Sequence, residues 1–268
     1  MSKKLVCLIS LILVLSIVGS ASAAGTRWWR VASNTPPPED TLWSNNDNWI
    51  DWDLWPTISA RQPTSAEVAS LNRTGMLTLV DSTATAVASE VKVGFWGSHD
   101  LDITGGTLAV GGNLSMAAGT GDTGTLDMSG GAVTIGGNML ACGLDPWTTG
   151  GNKAIVTMTG GTIGITGDLK AGTYGDGTIG LYGGTITASN LSMTSRGAMA
   201  VANDAKLITS GDDSATLGGY VTNGWLVGTV NYYSTGEYAG KTVVTAIPEP
   251  ATIALLGLGG LALLRRKR

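Results

Sequence analysis

Four segments of the chain repeat one pattern, and this repetition constrains the fold more than any other feature of the sequence. Within each segment apolar residues alternate with polar ones, which is the period of a β-strand. Glycine pairs interrupt the alternation, in the first repeat at Gly105-Gly106 and Gly111-Gly112, so each repeat predicts three short strands. The first Gly-Gly pairs of the repeats lie 25, 30 and 23 residues apart. The repeats begin at Leu101, Leu126, Val156 and Ile179.

A repeat of this length with three strands is typical of one rung, or complete turn, of a parallel β-helix (β-solenoid). Stacked rungs would place equivalent residues about 4.8 Å apart in columns. Three columns are predicted to face inward, and all their members are aliphatic or Met. These columns are Leu101/Leu126/Val156/Ile179, Ile103/Met128/Met158/Leu181 and Leu108/Val133/Ile163/Ile186. A corner column is predicted to bond backbone groups of the turns, as Asn and Asp do: Asn113, Asn138, Asp168 and Asn190.

A flat sandwich of hairpins is the alternative, because Gly-Gly pairs also form hairpin turns. The solenoid is favoured because the columns stay in phase although the repeats differ in length.

Each rung has two glycine corners, in the first repeat Gly105-Gly106 and Gly111-Gly112. Glycine at both corners is predicted to supply a positive φ. The extra residues of the longest interval map to one loop, 144–153.

The N-terminus has the three parts of a secretory signal peptide. Lys3 and Lys4 precede an apolar run from Leu5 to Val18, and small residues follow, which predicts cleavage near Ala23 or Ala24. A permanent membrane anchor would need about 20 apolar residues. The sequence therefore predicts an exported protein, from which Cys7 is removed and in which Cys142 is a single, buried and inert thiol.

The C-terminal segment, 247–268, combines three features. Pro248-Glu249-Pro250 precedes 14 residues, Ala251 to Leu264, of which only Thr252 is polar. A helix of 14 residues would span about 21 Å, short of a hydrocarbon core of about 30 Å. Four cations end the chain: Arg265, Arg266, Lys267 and Arg268.

The order of these parts resembles the PEP-CTERM sorting signal. The resemblance implies that Pro248, Glu249 and Pro250 are recognised by exosortase, an integral-membrane cysteine transpeptidase that processes the protein at the cell envelope. Before processing, the apolar helix would hold the chain in the membrane. An ordinary C-terminal anchor that is never cut is the alternative, and both interpretations place the body of the protein outside the cytoplasm.

Six of the nine Trp residues lie within 25–75, which stands where a repeat array needs a terminal cap. They predict either large residues that close the core or aromatic platforms for sugars, and the first interpretation is favoured. The pattern W-S-x-x-x-N-W from Trp43 to Trp49, followed by P-T-S-A-E, resembles the N-terminal segment of bacterial surface proteins with autotransporter-type β-solenoid repeats. The Trp residues concerned are Trp28, Trp29, Trp43, Trp49, Trp52 and Trp55.

The predicted fold is therefore all-β: a parallel β-helix with a Trp-rich N-terminal cap, flanked by a signal peptide and a short C-terminal apolar helix. Stretches 76–99 and 198–230 are interpreted as degenerate rungs, for a total of six or seven. The predicted parts are a signal peptide (1–24), the cap (25–75), the solenoid repeats (76–230), a closing strand and linker (231–246), and the sorting signal (247–268).

Charge excludes several partners. Residues 25–247 contain ten basic and nineteen acidic residues, a net charge of −9. Nucleic acid and anionic lipid are therefore poor partners, because both bind to a basic protein surface. One His and two Cys in the whole chain also exclude a multi-histidine metal site and a structural zinc cluster.

Candidate site residues are few. Asp102 and Asp127 are predicted to lie outward on adjacent rungs, beside Asp100, where they could share a calcium ion. His99 is predicted to be solvated in a loop, and no Ser-His-Asp arrangement can be built on it. The outward column Thr107/Ala132/Thr162/Thr185 resembles the binding face of β-helical ice-binding proteins, but Ala132 interrupts it.

We therefore expect a non-enzymatic cell-envelope or extracellular-matrix protein, without a cofactor, which presents a stiff solenoid for adhesion or matrix structure. Its expected partners are the exosortase and then exopolysaccharide or other surface proteins. The alternative is a carbohydrate-binding or polysaccharide-active β-helix protein of the lyase or hydrolase class. That alternative would use the Trp-rich segment and loop 144–153, with Trp147, Asp100, Asp102 and Asp127 converging on one groove.

Overall fold

The computed structural model describes residues 26–29, 41–51, 61–72, 74–117, 119, 121–142 and 151–247. Its strands, numbered in chain order, form three sheets. Sheet A contains β1 (Thr26–Trp29), β2 (Trp49–Asp51), β3 (Val68–Leu71), β6 (Glu90–Val93), β9 (Leu114–Met116), β12 (Met139–Ala141), β15 (Leu169–Ala171) and β18 (Leu191–Met193).

The other two sheets complete the solenoid. Sheet B contains β4 (Met76–Val80), β7 (His99–Ile103), β10 (Thr123–Met128), β13 (Lys153–Met158), β16 (Asp176–Leu181), β19 (Gly197–Val201) and β21 (Leu226–Val227). Sheet C contains β5 (Thr85–Ala88), β8 (Thr107–Val110), β11 (Ala132–Ile135), β14 (Thr162–Ile165), β17 (Thr185–Ala188), β20 (Lys206–Ser210), β22 (Thr229–Tyr233) and β23 (Lys241–Thr245).

Successive strands from β3 to β20 pass from sheet A to B to C and back to A, so that each set of three strands is one rung and the described chain completes six rungs. Each of these strands pairs in parallel with its counterpart in the next rung, as β7, β10 and β13 do. The prediction of a parallel β-solenoid is confirmed, and the alternative of a hairpin sandwich is wrong. The first rung begins at Val68, inside the segment that the sequence assigned to the cap.

The three predicted inward columns are confirmed in register and in burial. Leu126 pairs with Leu101 and Val156, and Met128 pairs with Ile103 and Met158. The third column, from Leu108 to Ile186, is in register along sheet C. All twelve side chains are at most 2% exposed. Burying one such aliphatic side chain contributes about 1.5–3 kcal/mol before the entropic cost of ordering it, so these columns hold the three sheets together.

The predicted polar corner column also forms. The backbone N–H of Asn138 donates to Oδ1 of Asn113 over 2.7 Å, and the N–H of Asp168 donates to Oδ1 of Asn138 over 2.8 Å. At the last step, Nδ2 of Asn190 donates to Oδ1 of Asp168 over 2.9 Å. The column therefore satisfies turn amides that the parallel ladders leave unpaired.

The two glycine corners differ, and the prediction of a positive φ at both is wrong. At the first corner the second glycine of each pair is left-handed, for example Gly131 at φ 78°. At the second corner Gly136 is not in the left-handed region, but a Cβ there would collide with the carbonyl oxygen of Gly111 in the preceding rung. Glycine is thus required there for the close approach of two rungs.

The two ends of the solenoid depart from the repeat. At the N-terminal end, β1 pairs in parallel with β3 and in antiparallel with β2. At the C-terminal end, helix α1 (Ser214–Thr222) lies between β20 and β21, within a stretch that the sequence predicted to be a degenerate rung. There β23 pairs in antiparallel with both β20 and β22.

Candidate functional site

The predicted carboxylates share the outer face of sheet B. Asp102 and Asp127 are paired residues of β7 and β10, and Asp100 points outward from β7 beside them. Thr157 and Gly180 occupy the same column in the next two rungs. Carboxylates therefore occupy this column in two successive rungs, as the sequence predicts.

The Asp102 carboxyl is partly buried, whereas Asp100 and Asp127 are exposed. Burial raises the pKa of Asp102 above its ordinary value, and the neighbouring carboxylates of Asp127 and Asp100 raise it further. A depression of about 250 Å³ adjoins the pair and is also lined by Thr104, Ser129, Thr157 and Thr159. Among the described residues no group of three or more His, Cys, Asp or Glu side chains could hold a metal ion.

His99 is not a solvated loop residue, so that prediction is wrong. It lies in β7, is 1% exposed, and its Nε2 is 2.8 Å from Oγ1 of the buried Thr78. Its column continues through Gly124 and Ala154, whose small size leaves room for an imidazole in the interior. His99 therefore points away from the face that carries Asp102.

Cys142 is a free, buried thiol, as predicted. Its Sγ–H donates to the carbonyl oxygen of Asp176 over 3.1 Å. Burial raises the pKa of the Cys142 thiol to about 12. Since the thiolate is the nucleophilic form, this residue is unsuited to covalent catalysis at neutral pH.

Trp43 and Trp49 are core residues. Both are fully buried, their ring centroids are 4.7 Å apart in an edge-to-face arrangement, and Nε1 of Trp49 donates to the carbonyl of Trp43. The backbone N–H of Trp43 donates to the carbonyl of Leu79 in β4. These two rings cannot serve as exposed sugar platforms, and the structure favours the core-closing interpretation for them. Whether the whole segment 25–75 acts as a cap stays a prediction.

The P-T-S-A-E element is held by one carboxylate. Glu67 forms a paired interaction with the Arg61 guanidinium, with N–O distances of 2.9 and 2.7 Å. It also accepts from the backbone N–H and hydroxyl of Thr64. The Glu67 carboxylate therefore has a structural role in this segment.

Sequence reasoning missed two aromatic side chains on sheet B. Tyr182 is 45% exposed, and the outer part of its ring covers Gly180, where a Cβ would be only 2.6 Å from Cε2 of the ring. Trp225 directly precedes β21 and stacks on Tyr220 with centroids 5.8 Å apart. Together with Val227 they border a depression of about 260 Å³. The available signal was the strand period, which places Gly180 and Tyr182 on the same outer face.

Another exposed aromatic residue lies at the corner between sheets A and B. Trp96 is 69% exposed, has a φ of 63°, and stacks on Phe95 with centroids 4.6 Å apart. The Lys92 ammonium lies 5.1 Å from the centre of the Phe95 ring. This cluster is separate from the depressions of sheet B.

The outward threonine column of sheet C is in register, from Thr107 through Ala132 and Thr162 to Thr185. Beside it lies a shallow depression of about 580 Å³, whose floor includes Ala109, Thr134 and Gly164. This face is uncharged until Lys206 occupies the same column in β20.

Several predicted residues lie outside the described part of the chain. They are Ala23 and Ala24 of the signal peptide, Trp52, Trp55, Trp147, and the tail residues Pro248, Glu249, Pro250, Arg265, Arg266, Lys267 and Arg268. Of the four residues predicted to converge on one groove, the structure brings together Asp100, Asp102 and Asp127. In the described ranges no helix is long and apolar enough to cross a membrane.

Comparison with protein families gives one match. Residues 246–268 match the family model of the PEP-CTERM protein-sorting motif. This match supports the resemblance seen in the sequence, and the motif implies export, sorting by an exosortase and an envelope-associated or extracellular destination for this β-solenoid. No curated protein and no solved structure matches the chain.

Proposed function

We propose that this protein is a non-enzymatic scaffold of the cell envelope or extracellular matrix, which is exported through its signal peptide and processed at its C-terminal motif. The solenoid is the displayed part, and its role is adhesion or matrix structure. The observation that carries this proposal is the position of the motif. The last strand of the described residues, β23, ends at Thr245, and the matched motif begins at residue 246.

The chemistry of the described side chains supports a scaffold over a catalyst. The Cys142 thiol is buried and has a pKa of about 12, and the His99 ring faces the interior. Asp102 and Asp127 face outward, so the one imidazole of the chain points away from these two carboxylates. A nucleophile and its base need to be within hydrogen-bond reach of each other, and these groups are not arranged in that way.

The architecture supports a mechanical role. Parallel ladders run through six rungs, and each rung is bonded to the next in all three sheets. In repeat arrays of this kind each repeat contacts only its neighbours, and the array extends along one axis. The body, residues 25–247, carries a net charge of −9, which favours solubility outside the cell and disfavours anionic surfaces.

Mass spectrometry of the protein recovered from the envelope and medium of an exosortase-containing host tests the proposal. We expect the wild-type chain to lack peptides beyond about Pro250. A Glu249→Ala variant is expected to retain its Arg265–Arg268 terminus, whereas Glu237→Ala, the same change in an exposed loop of the body, is expected to be processed normally. Recovery of wild-type protein with an intact terminus would contradict the proposal.

A further inference from the structure

The outer face of sheet B carries a continuous strip whose composition changes along the solenoid axis. The strip begins at the carboxylates of Asp102 and Asp127, continues over Thr157 and Gly180, and ends at Val227. It crosses six strands, and five intervals of about 4.8 Å give it a length of about 24 Å. The two depressions of sheet B lie along it and share Thr157.

The aromatic end of the strip is built to hold its rings in place. The Tyr182 ring rests on Gly180, and its backbone carbonyl accepts from Nδ2 of Asn203 over 2.9 Å. The Trp225 ring is half-buried and stacks on Tyr220, with ring centroids 5.8 Å apart. Fixed rings bind a partner at a lower entropic cost than mobile ones.

The floor of the strip at this end is low. Ala198 and Ala200 of β19 have small side chains that point outward, whereas the Tyr182 ring covers Gly180 in the preceding rung. A partner can therefore approach the backbone of sheet B while it contacts the Tyr182 ring at one side and Trp225 at the end. Val227, which is 50% exposed, extends the apolar border.

The polar end supplies hydrogen-bonding groups. Asp102 and Asp127 offer carboxylate oxygens, while Thr104, Thr157 and Thr159 offer hydroxyls. No Lys or Arg occupies the two central outward columns of the strip, which run from Asp100 to Trp225 and from Asp102 to Val227. Lys153 of β13 is exposed in the next outward column, where its partner in the following rung is Asp176. The strip itself therefore offers an anionic polymer no counter-charge.

We propose that this strip of sheet B, from Asp102 to Val227, binds a neutral polysaccharide chain. Sugar rings carry apolar faces that stack on Tyr182 and Trp225, and their hydroxyls bond the carboxylates and threonines at the other end. A linear polymer matches a strip that is long and shallow. Each contact is weak, but a polymer that engages several copies of the protein is held by their combined binding.

This inference goes beyond the proposed function and does not depend on tail processing. A processed protein that binds no glycan overturns the inference alone. A protein that binds glycan but keeps its tail contradicts the proposed function alone.

Affinity electrophoresis of the full chain through gels containing a soluble neutral glucan, an anionic alginate or no polymer tests the inference. We expect retardation by the glucan and none by alginate. Tyr182→Ala is expected to weaken glucan binding about tenfold, the effect of losing one aromatic contact. Gly180→Ala is expected to weaken it similarly, because the new Cβ displaces the Tyr182 ring.

The matched control is Tyr174→Ala, which removes a tyrosine of similar exposure, 38% against 45%, at the corner between sheets A and B. It is expected to bind like wild type. Ala198→Arg leaves the interior untouched and fills the depression, so it is expected to abolish binding even if Tyr182→Ala fails to fold. Unchanged binding in Ala198→Arg, an equal loss in Tyr174→Ala, or retardation by alginate alone would overturn the proposal.

Discussion

At the scale of single residues, Asp102 is the group whose ionisation most clearly opposes the fold. Burial and the carboxylates of Asp127 and Asp100 raise its pKa in the folded state. The ionised form therefore destabilises the protein. This penalty is absent below the unfolded-state pKa of about 3.9, grows as the pH rises toward the folded-state value, and is complete above it.

Asp102→Asn is therefore expected to raise the free energy of unfolding at pH 7 by about 0.5 kcal/mol, the scale of a like-charge pair on neighbouring strands. Urea denaturation at pH 7 and at pH 3.5 measures the effect, and the gain is expected to disappear at the lower pH. Asp204→Asn, the same change at an exposed turn residue, serves as the control. A gain that persists at pH 3.5 would contradict this account.

The residues of the inward columns could be predicted because a period of two and a parallel register leave one choice of face. His99 could not be predicted in the same way. The chain contains one His, so no column of equivalent residues in other repeats indicates which way its side chain points. The burial of the imidazole depends on the space beside Gly124 and on the hydroxyl of Thr78. Tyr182 has a related explanation, since only the folded sheet shows its ring lying on Gly180.

At the scale of elements, the second glycine corner shows why the same residue type has different roles in successive rungs. A Cβ at Gly136 would collide with the carbonyl oxygen of Gly111. A Cβ at Gly111 would be 3.6 Å from its nearest neighbour, the carbonyl oxygen of Ser89, which is an ordinary contact. Thr166, at the equivalent position one rung after Gly136, shows that this corner accommodates a side chain in that rung.

Gly136→Ala is therefore expected to lower the free energy of unfolding by about 1–3 kcal/mol, the cost of forcing a close-packed backbone apart. Gly111→Ala, the same change one rung earlier, is expected to stay within about 0.5 kcal/mol of wild type. Thermal and urea denaturation of the two variants compare them directly. Equal destabilisation would show that conformational freedom, rather than the approach of the rungs, explains glycine at this corner.

Helix α1 is the element that the sequence did not reveal. Its residues include Gly218, Gly219 and three β-branched side chains, which are poor helix formers. The helix is supported by tertiary contacts: Leu217 is fully buried, and the Tyr220 hydroxyl accepts from the backbone N–H of Met193 in β18. Local propensity does not encode such an element, because its stability comes from the end of the solenoid on which it packs.

At the scale of the whole molecule, the charge of the chain divides between its parts. The formal net charge of −4 combines basic ends with a body, 25–247, of −9. The sequence could predict this division and the sorting motif, because both depend on composition and order alone. It could not locate the candidate binding strip, because that requires six strands of sheet B to be placed side by side.

The solenoid also predicts how a local change spreads through the molecule. Each rung contacts only its neighbours, so a defect at one end is expected to loosen that end first. Leu217 of α1 is fully buried at the C-terminal end, whereas Val221 of the same helix is 37% exposed. The two residues therefore offer a buried site and an exposed site on one element.

Leu217→Ala is expected to cost about 2–4 kcal/mol through the cavity it leaves. In hydrogen exchange, protection should fall in β18 to β23 and stay unchanged in β7 and β8, while Val221→Ala should resemble wild type throughout. Protection is expected to fall only near the C-terminal end because that end can open without breaking the ladders of the central rungs. A uniform loss of protection along the chain would instead mean that the solenoid opens as one cooperative unit, and the nearest-neighbour description would then be wrong.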